Sequence, residues 1–584
     1  MKLKDKEFLK KIFEKSNFWS VQIAKEAIKR AEKKKKDLVV VRCAATPTGV
    51  LHIGNANELI RSYLIKISIE ILGKKAKVIY TSDDRDPMRG FPLKIADKEK
   101  NLIEFKERNH YELHYDGFPV FAIPDPFKCH SSYSEHFVSL LFDELKSIGI
   151  DEIEYYSPNI LYYQDKNWQK LVKEAMNKRE KINKILSELK EHIREYPFAV
   201  ICENCGRIGS TNVLNYDPET EEIEYLCESR RLKKKTVEGC GYKGKTKIRN
   251  GKLDWYVEWA LDWKYFDADV EPLSKEHYVS SWKVSPKISR EVFNQEEPIP
   301  VLYELFTING KKMSSSKGNI YNINFFLKIL EPEVFVYYLY TKRPFVQREI
   351  TLSRINQAVD EFDKLEEEVF NSLEKEKLSQ DEIDKIVNYY LSFFGKIPEN
   401  KPVRVNYSFL AVIGQLLLPK ELINNTEIPL IKLDPNLLER YDFVFSKIRE
   451  ILKRTGHIKK DLNNFEFYKI IDRARKASFW ARNFAPSFLK IELNQKKEDL
   501  EFNNEEKEIL NFILNVIEDL DKEEKINLDD LQTKIHKKIS EKLDSREFYK
   551  KLYKILIGKE GGPKISSLIV AKKEEIKKII MGYL

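Results

Sequence analysis

The sequence predicts an α/β half built on a doubly wound parallel sheet, with an inserted cysteine-bearing module, followed by an all-α half. Three observations predict it. An apolar run, Leu38-Val39-Val40-Val41, precedes helix-like periodicity from about Asn55 to Leu72 and a second apolar run, Ala76-Lys77-Val78-Ile79-Tyr80. Strand, helix and strand of these lengths form a βαβ unit and point to a parallel sheet. After about residue 350 nearly every segment reads as an amphipathic helix, for example Leu365 to Leu373 and Phe465 to Ala485. Between the two regions lie four of the six cysteines, in the stretch from about 150 to 250.

Taken in order, residues 5 to 36 alternate apolar and charged positions at helical spacing and end in Lys33-Lys34-Lys35-Lys36, which predicts a leading helix with a basic end. The strand at 38–45 runs into a turn, and the helix after it stops at Gly73. Residues 150 to 250 have mixed helix and turn character. From 251 to 345 short strands and loops rich in aromatics return. The change from α/β to all-α character near 345–350 sets the main boundary.

At 584 residues the chain exceeds one hydrophobic core, and two to four domains are expected. Hydrophobic residues at 42% exclude disorder, and a net charge of +9 suits a protein that meets a polyanion over part of its surface without requiring it. Met1-Lys2-Leu3-Lys4-Asp5-Lys6 has no apolar core behind it, and the longest apolar stretch, Phe409 to Leu418, is too short for a bilayer. A cytoplasmic protein with no membrane partner is expected. Six cysteines in such a chain read as metal ligands rather than as a disulfide framework.

Two strings carry the chemistry. The first is Thr46-Pro47-Thr48-Gly49-Val50-Leu51-His52-Ile53-Gly54-Asn55, directly after the first strand. Ligands of open α/β sheets sit at the carboxyl ends of strands, where the free N–H groups and positive dipole end of the next helix attract phosphate. Gly49 and Gly54 allow close backbone approach, and the His52 imidazole can donate a hydrogen bond to a phosphate oxygen. The second string is Lys312-Met313-Ser314-Ser315-Ser316-Lys317-Gly318-Asn319, with Gly310 before it. A mobile cationic loop with hydroxyl donors suits the growing charge on a departing pyrophosphate.

In this order and at this separation the two strings resemble the HIGH and KMSKS motifs of class I aminoacyl-tRNA synthetases. Further segments resemble the class I lysyl-tRNA synthetase family over nearly the whole chain. They are Ser82-Asp83-Asp84-Arg85-Asp86-Pro87-Met88-Arg89, Ile123-Pro124-Asp125-Pro126-Phe127, Ser132-Tyr133-Ser134-Glu135-His136-Phe137, Gly251-Lys252-Leu253-Asp254-Trp255 and Lys275-Glu276-His277. Leu552-Tyr553-Lys554-Ile555-Leu556-Ile557-Gly558 with Gly562-Pro563-Lys564 completes the set. The resemblance implies activation of L-lysine by ATP with magnesium, then transfer to tRNA(Lys). It implies His52, Asn55, Lys312 and Lys317 as catalytic residues, and an ATP site formed with Thr48, Gly49, Gly54, Met313, Ser314, Ser315 and Ser316. It implies an amino-acid pocket of Ala44, Thr46, Trp255, His277 and Tyr303. Asn55 stands where the generic motif has a second His, Ser315 where it has its second Lys, and Ala44 where the family has Gly.

The residues agree in kind with a lysine pocket. Trp255, Trp259 and Trp263 recur every four residues beside Asp254, Glu258 and Asp262, which on a helix places an aromatic stripe next to an acidic one. Core packing for Trp259 and Trp263, with the acids facing water, is the alternative reading and the favoured one for those two. Cys202 and Cys205, followed by Gly206, form a zinc knuckle that Cys227 and Cys240 can complete, whereas Cys43 and Cys129 look solitary. The domains expected are a Rossmann-like catalytic domain at 1–346, a structural zinc module inserted at 198–247, and an α-helical anticodon-binding domain at 347–584. In the last, Arg473, Arg475, Lys476, Trp480 and Arg482 mix cations with an aromatic as phosphate contact and base stacking require. A glutamyl or cysteinyl type class I synthetase, a small-molecule nucleotidyltransferase, and an inactive synthetase-derived RNA-binding protein are the alternatives. A monomer is the working expectation.

Overall fold

The computed structural model describes residues 2–189, 194–232, 235–313, 318–398, 400–459 and 461–584, without the side chains of Leu232 and Lys235. Ser314, Ser315, Ser316 and Lys317 of the second motif therefore lie outside the described residues, as do Lys233 and Lys234. The chain divides into two compact units. One comprises 1–323, 336–350 and 368–397, and the other 324–335, 351–367 and 398–584.

The first unit is organised on a five-stranded, all-parallel sheet. Its strands are β1 (Leu38–Ala44), β2 (Lys75–Thr81), β3 (Glu154–Tyr156), β4 (Val270–Ser274) and β5 (Ile299–Tyr303). Their spatial order is β3-β2-β1-β4-β5. Val41 of β1 pairs with Val78 of β2 on one side and with Val270 of β4 on the other, so the order reverses at the β1/β4 boundary. Both faces are covered, which is why Val39, Val40 and Val41 are all buried and the strand reads as a continuous apolar run.

The helix crossing from β1 to β2 spans Ile53–Ile71 and is buried on nearly every side. The expected single leading helix at 5–36 is instead two, Lys6–Lys15 and Trp19–Lys33. Ser16 and Phe18 between them are extended, and the Ser16 hydroxyl bonds Asp384 at 2.6 Å, so a tertiary partner breaks the periodicity.

The stretch read as helix and turn holds more strand than expected. Helices run from Pro158 to Leu189, but Thr211–Asp217, Glu222–Cys227 and Lys243–Lys247 then form an antiparallel sheet. Glu222 and Glu224 alternate with Ile223 and Tyr225 along one strand, a period of two that a helix-period reading passes over. Conversely, Trp255–Phe266, Lys275–Ser281 and Ser285–Phe293 are helices in a region expected to be short strands and loops.

The second unit is helical. Its longest helix, Asn464–Asn483, opens with a capping box between Asn463 and Glu466. This helix corrects the expected RNA-facing surface. Arg473, Arg475, Lys476 and Trp480 are buried. Arg473 pairs with Glu331 at 2.9 Å and with Asp363. Arg475 donates to the carbonyls of Leu422 (2.7 Å), Asn425 (2.8 Å) and Ile428 (3.0 Å), and Lys476 to those of Thr426 (2.9 Å) and Leu327. Trp480 Nε1 donates to Leu352 O at 2.8 Å. These groups satisfy buried loop carbonyls and are closed to RNA. Arg482 alone is half-buried, donating to Gln415 O at 3.2 Å. Among the described residues no helix is long and apolar enough to cross a membrane.

Candidate functional site

In a doubly wound sheet the binding crevice opens where the strand order reverses, at the carboxyl ends of the strands. Here that point lies between Ala44, ending β1, and Ser274, ending β4. Two cavities occupy it. The larger, about 500 Å³, is lined by residues of β1 and β4, the 83–89 loop and the Trp255–Phe266 helix. The smaller, about 390 Å³, is lined by His52, Gly54 and Asn55 on one side and by Lys312 and Met313 on the other. Both share Ala44, Thr46, Glu58 and His277 as walls.

The smaller cavity brings the two motifs together. His52 is the N-cap of the Ile53–Ile71 helix, and its Nδ1 accepts from the Gly54 N–H at 3.0 Å. The proton is therefore on Nε2, which is a donor, and burial pushes the imidazole pKa down to about 4, so the ring is neutral at pH 7. Gly54 is needed for this cap, because a Cβ there would sit 2.7 Å from His52 Cε1. Thr48 and Gly49 lie on the preceding turn, outside both cavity walls.

Lys312 sits after a hairpin turn at Asn309-Gly310, both with positive φ, between strands 306–308 and 311–312. Its ammonium pairs with Glu276 at 2.7 Å, both side chains being exposed, and Asn319 Nδ2 donates to its carbonyl at 2.9 Å.

All five residues expected around the amino acid line these cavities. Ala44 and Thr46 line both, Trp255 the larger, Tyr303 the smaller, and His277 both. The Trp255 ring stacks on Trp259 at 5.6 Å and lies 6.0 Å from His277.

Six carboxyls and three cations face the larger cavity. Arg42 pairs with Glu271 at 2.7 Å and with Asp262; Lys252 bridges Asp86 at 2.5 Å and Glu258 at 3.1 Å. Thr46 donates to Asp86 at 2.8 Å, and the Tyr303 hydroxyl donates to Glu58 at 2.5 Å. Trp259 and Trp263 are buried, as the core reading has it, yet their indole N–H groups donate to Glu271 at 2.7 and 3.2 Å. Glu258 and Asp262 are buried in the cavity wall rather than facing water.

Asp83 differs from the other five acids. Its backbone carbonyl accepts from the Asp86 N–H at 3.1 Å, but among the described residues its carboxyl group has neither a hydrogen bond nor an ion pair. Its backbone is left-handed at φ 41°. Burial, reinforced by neighbouring Asp86, pushes its carboxyl up to about 7. A desolvated, unpaired carboxylate is costly unless a cation arrives. Sequence reading passed over Asp83 because four charged residues, Asp83 to Asp86, stand in a row and nothing local distinguishes them.

Among the described residues, two clusters of metal-ligating type also belong to this unit. Cys202, Cys205, Cys227 and Cys240 converge, with sulfur separations of 3.7 Å for Cys202–Cys240 and for Cys205–Cys227. A tetrahedron with Zn–S bonds of about 2.3 Å has S···S edges of about 3.8 Å, so the four thiols fit zinc. Cys129 is not solitary as expected: with Asp125, His130 and His136 it forms a second cluster, Cys129 Sγ lying 3.2 Å from His130 Nδ1 and 3.3 Å from His136 Nδ1. His136 Nε2 is tied to the Ala96 carbonyl at 3.0 Å, which leaves Nδ1 as a free ligand. The signal available in the sequence was the Asp-x3-Cys-His-x5-His spacing.

A sheet that reverses at β1/β4, with a capping imidazole and a hairpin lysine facing each other across the reversal, is the arrangement of a class I aminoacyl-tRNA synthetase. Residues 17–390 match the family described as tRNA synthetases class I (K). The lysine–tRNA ligase of Natronomonas pharaonis is 30% identical over 565 residues, covering 96% of each chain. That of Methanocaldococcus jannaschii is 30% identical over 563 residues, covering 94% of this chain and 97% of its own. Among solved structures, a glutamate–tRNA ligase from Elizabethkingia meningosepticum covers 93% of this chain and 99% of its own, at 13% identity and a TM-score of 0.36. The chain belongs to the class I (K) family of tRNA synthetases.

Proposed function

We propose that this protein is a lysine–tRNA ligase: it activates L-lysine with ATP and transfers it to tRNA(Lys). Family membership supports the reaction, and one structural observation carries the assignment of parts. The acid-lined chamber at the strand reversal and the cavity shared by His52 and Lys312 have four walls in common, so an amino acid in the first presents its carboxylate to a nucleotide in the second.

In the first step a lysine carboxylate oxygen attacks the α-phosphorus of ATP. A carboxyl O–P bond forms, the bond to the β-phosphate breaks, and pyrophosphate leaves. In the second a terminal ribose hydroxyl of the tRNA attacks the lysyl carbonyl and AMP leaves. Catalysis is mainly positioning and charge neutralisation. His52 gives an Nε2–H to a phosphate oxygen, Asn55 stands beside it, and Lys312 exchanges Glu276 for the pyrophosphate as charge develops there. ATP enters with magnesium, which offsets phosphate charge. Lys317 and Ser314 to Ser316 are assigned to the same loop by motif alone.

For the amino acid, Ala44, Thr46, His277 and Tyr303 frame the backbone end and Trp255 offers an aromatic face to the side chain. The ε-ammonium goes to Asp83. The 198–247 module and the Asp125 cluster are read as zinc sites, and the helical unit as the reader of the anticodon.

Pyrophosphate exchange into ATP, run with each amino acid and with or without tRNA, tests the assignment. Exchange dependent on lysine is expected; exchange with glutamate alone, or none, removes it. Metal analysis tests the zinc sites. About two zinc ions per chain are expected, falling to about one in Cys205→Ser or in His136→Ala. A metal-free wild-type chain that melts normally would refute both sites.

A further inference from the structure

The residue after His52 is held by both of its peptide groups. Ile53 donates its N–H to the Tyr321 carbonyl at 3.0 Å, and its own carbonyl accepts from the Tyr340 hydroxyl at 3.1 Å. Tyr340 belongs to a π-helical turn, Tyr337–Thr341, that leads into the strand at 348–350. That strand pairs with 306–308, which in turn pairs with the 311–312 strand carrying Lys312. The Tyr340 ring packs edge-on against Phe306 of the same small sheet, with centroids 5.7 Å apart. One turn thus touches both the helix that His52 caps and the sheet that ends at Lys312. Single π turns are rare and recur at functional sites.

Arg61 secures this turn from the helix side. It lies about two turns beyond Ile53 on the same helix and is buried. Its Nε donates to Asn57 Oδ1 at 2.6 Å, and its Nη1 donates to the carbonyls of Tyr340 at 2.8 Å and Lys342 at 3.2 Å. The guanidinium stands 5.3 Å from the centre of the Trp19 ring, and Trp19 Nε1 donates to Thr341 O at 2.8 Å. Among the described residues no carboxylate pairs with Arg61, and burial pushes its pKa down to about 9. An apolar side chain would fill that space without the desolvation penalty of a guanidinium. What the cation adds is a grip on Tyr340. The helix takes that residue's carbonyl through Arg61 and its hydroxyl through Ile53.

We propose that Tyr340 and Arg61 are positioning residues for adenylate formation, which together set where His52 stands relative to Lys312. The inference rests on the lysine–tRNA ligase reading and concerns its first step alone. His52 serves that step only if Nε2 stands at hydrogen-bond distance from a phosphate oxygen, and a misplacement on the order of 1 Å costs about 10²-fold in a well-aligned site.

The test uses the full chain. Tyr340→Phe deletes one oxygen and keeps the ring; Arg61→Lys keeps the charge and loses the fork that joins Asn57 to the two carbonyls. Active sites are counted by the lysyl-adenylate formed in a first turnover, and rates are taken per counted site, so unfolded chains do not enter. Each variant is expected to form adenylate about 10-fold more slowly per site, with the KM for lysine and for ATP within about 3-fold of wild type. Transfer from preformed adenylate to tRNA should stay within about 2-fold. In a His52→Ala background, Tyr340→Phe should cost less than about 2-fold, because no imidazole is left to misplace.

A full 10-fold cost in that background would overturn the positioning role and leave the ligase reading standing. So would fewer sites at an unchanged rate per site, or an equal slowing of adenylation and transfer, since both mark a merely structural role. A wild-type enzyme with no lysine-dependent pyrophosphate exchange would remove the ligase reading and this proposal with it.

Discussion

Replacing Asp83 by Asn is expected to raise the KM for lysine by about 10²- to 10³-fold while the KM for ATP moves by less than about 3-fold. Removing one partner of a buried ion pair costs roughly 3–5 kcal/mol, because the remaining charge is left desolvated and alone. Asp83 is the chamber acid with no protein cation or donor committed to it among the described residues, so the substrate ammonium is the partner that would be stranded. Asn is the suitable replacement, since it tolerates the left-handed backbone at φ 41° that Ala would strain.

The pH dependence gives a second readout. Burial, with neighbouring Asp86, pushes Asp83 up to about 7, while Lys252 and Thr46 offset burial and hold Asp86 below the usual range. Burial raises Glu58 to about 8, so Glu58 stays protonated throughout the window below 7. In the lysine site proposed here the ammonium pairs with the ionised form of Asp83. Falling pH protonates that form first, so the KM for lysine should rise up to tenfold per unit below pH 7. Asp83→Asn should abolish that slope. A KM for lysine within threefold of wild type, or an unchanged slope, would refute the role of Asp83.

Replacing Lys312 by Ala is expected to lower the rate of adenylate formation by about 10²- to 10³-fold, the range for loss of one preorganised group at a developing oxyanion. The affinity for tRNA should change by less than about 2-fold. Lys312 is exposed on a hairpin, and its ion pair with Glu276 is likewise exposed, so neither contributes much to folding. Giving up that pair for the pyrophosphate costs little for the same reason. Single-turnover adenylate formation and filter-binding of tRNA, measured on the same preparation, decide it. Equal losses in both would mean that the loop acts on tRNA docking instead.

Legibility followed the range of the forces involved. The βαβ unit was readable because burial on both faces makes β1 an unbroken apolar run, and both strands and the helix fall within two residues of their expected bounds. His52 was readable because a helix N-terminus after a strand is a local feature with one geometric outcome. The antiparallel sheet at 211–247 was not, although Glu222–Cys227 alternates with a period of two, because a helix-period reading passes over strands this short. Arg473, Arg475, Lys476 and Trp480 misled for the opposite reason: their composition suits RNA, but nothing in a helix-period pattern reveals that loops from 327 to 428 bring carbonyls and carboxylates over them. Cys129 looked solitary because two of its partners, Asp125 and His136, reach it across a turn and the first turn of a helix.

The sequence by itself determined the parallel sheet, the two motif strings, the family and the four cysteines that converge, because each is written in contiguous or regularly spaced residues. The tertiary structure decided which of six chamber carboxylates is left without a side-chain partner among the described residues. That choice depends on Arg42 arriving from β1, Lys252 from the inserted module's edge and Tyr303 from β5. Ion pairing in a desolvated cavity is settled by which charges the fold places within about 3–4 Å, a distance that residue order along the chain does not encode.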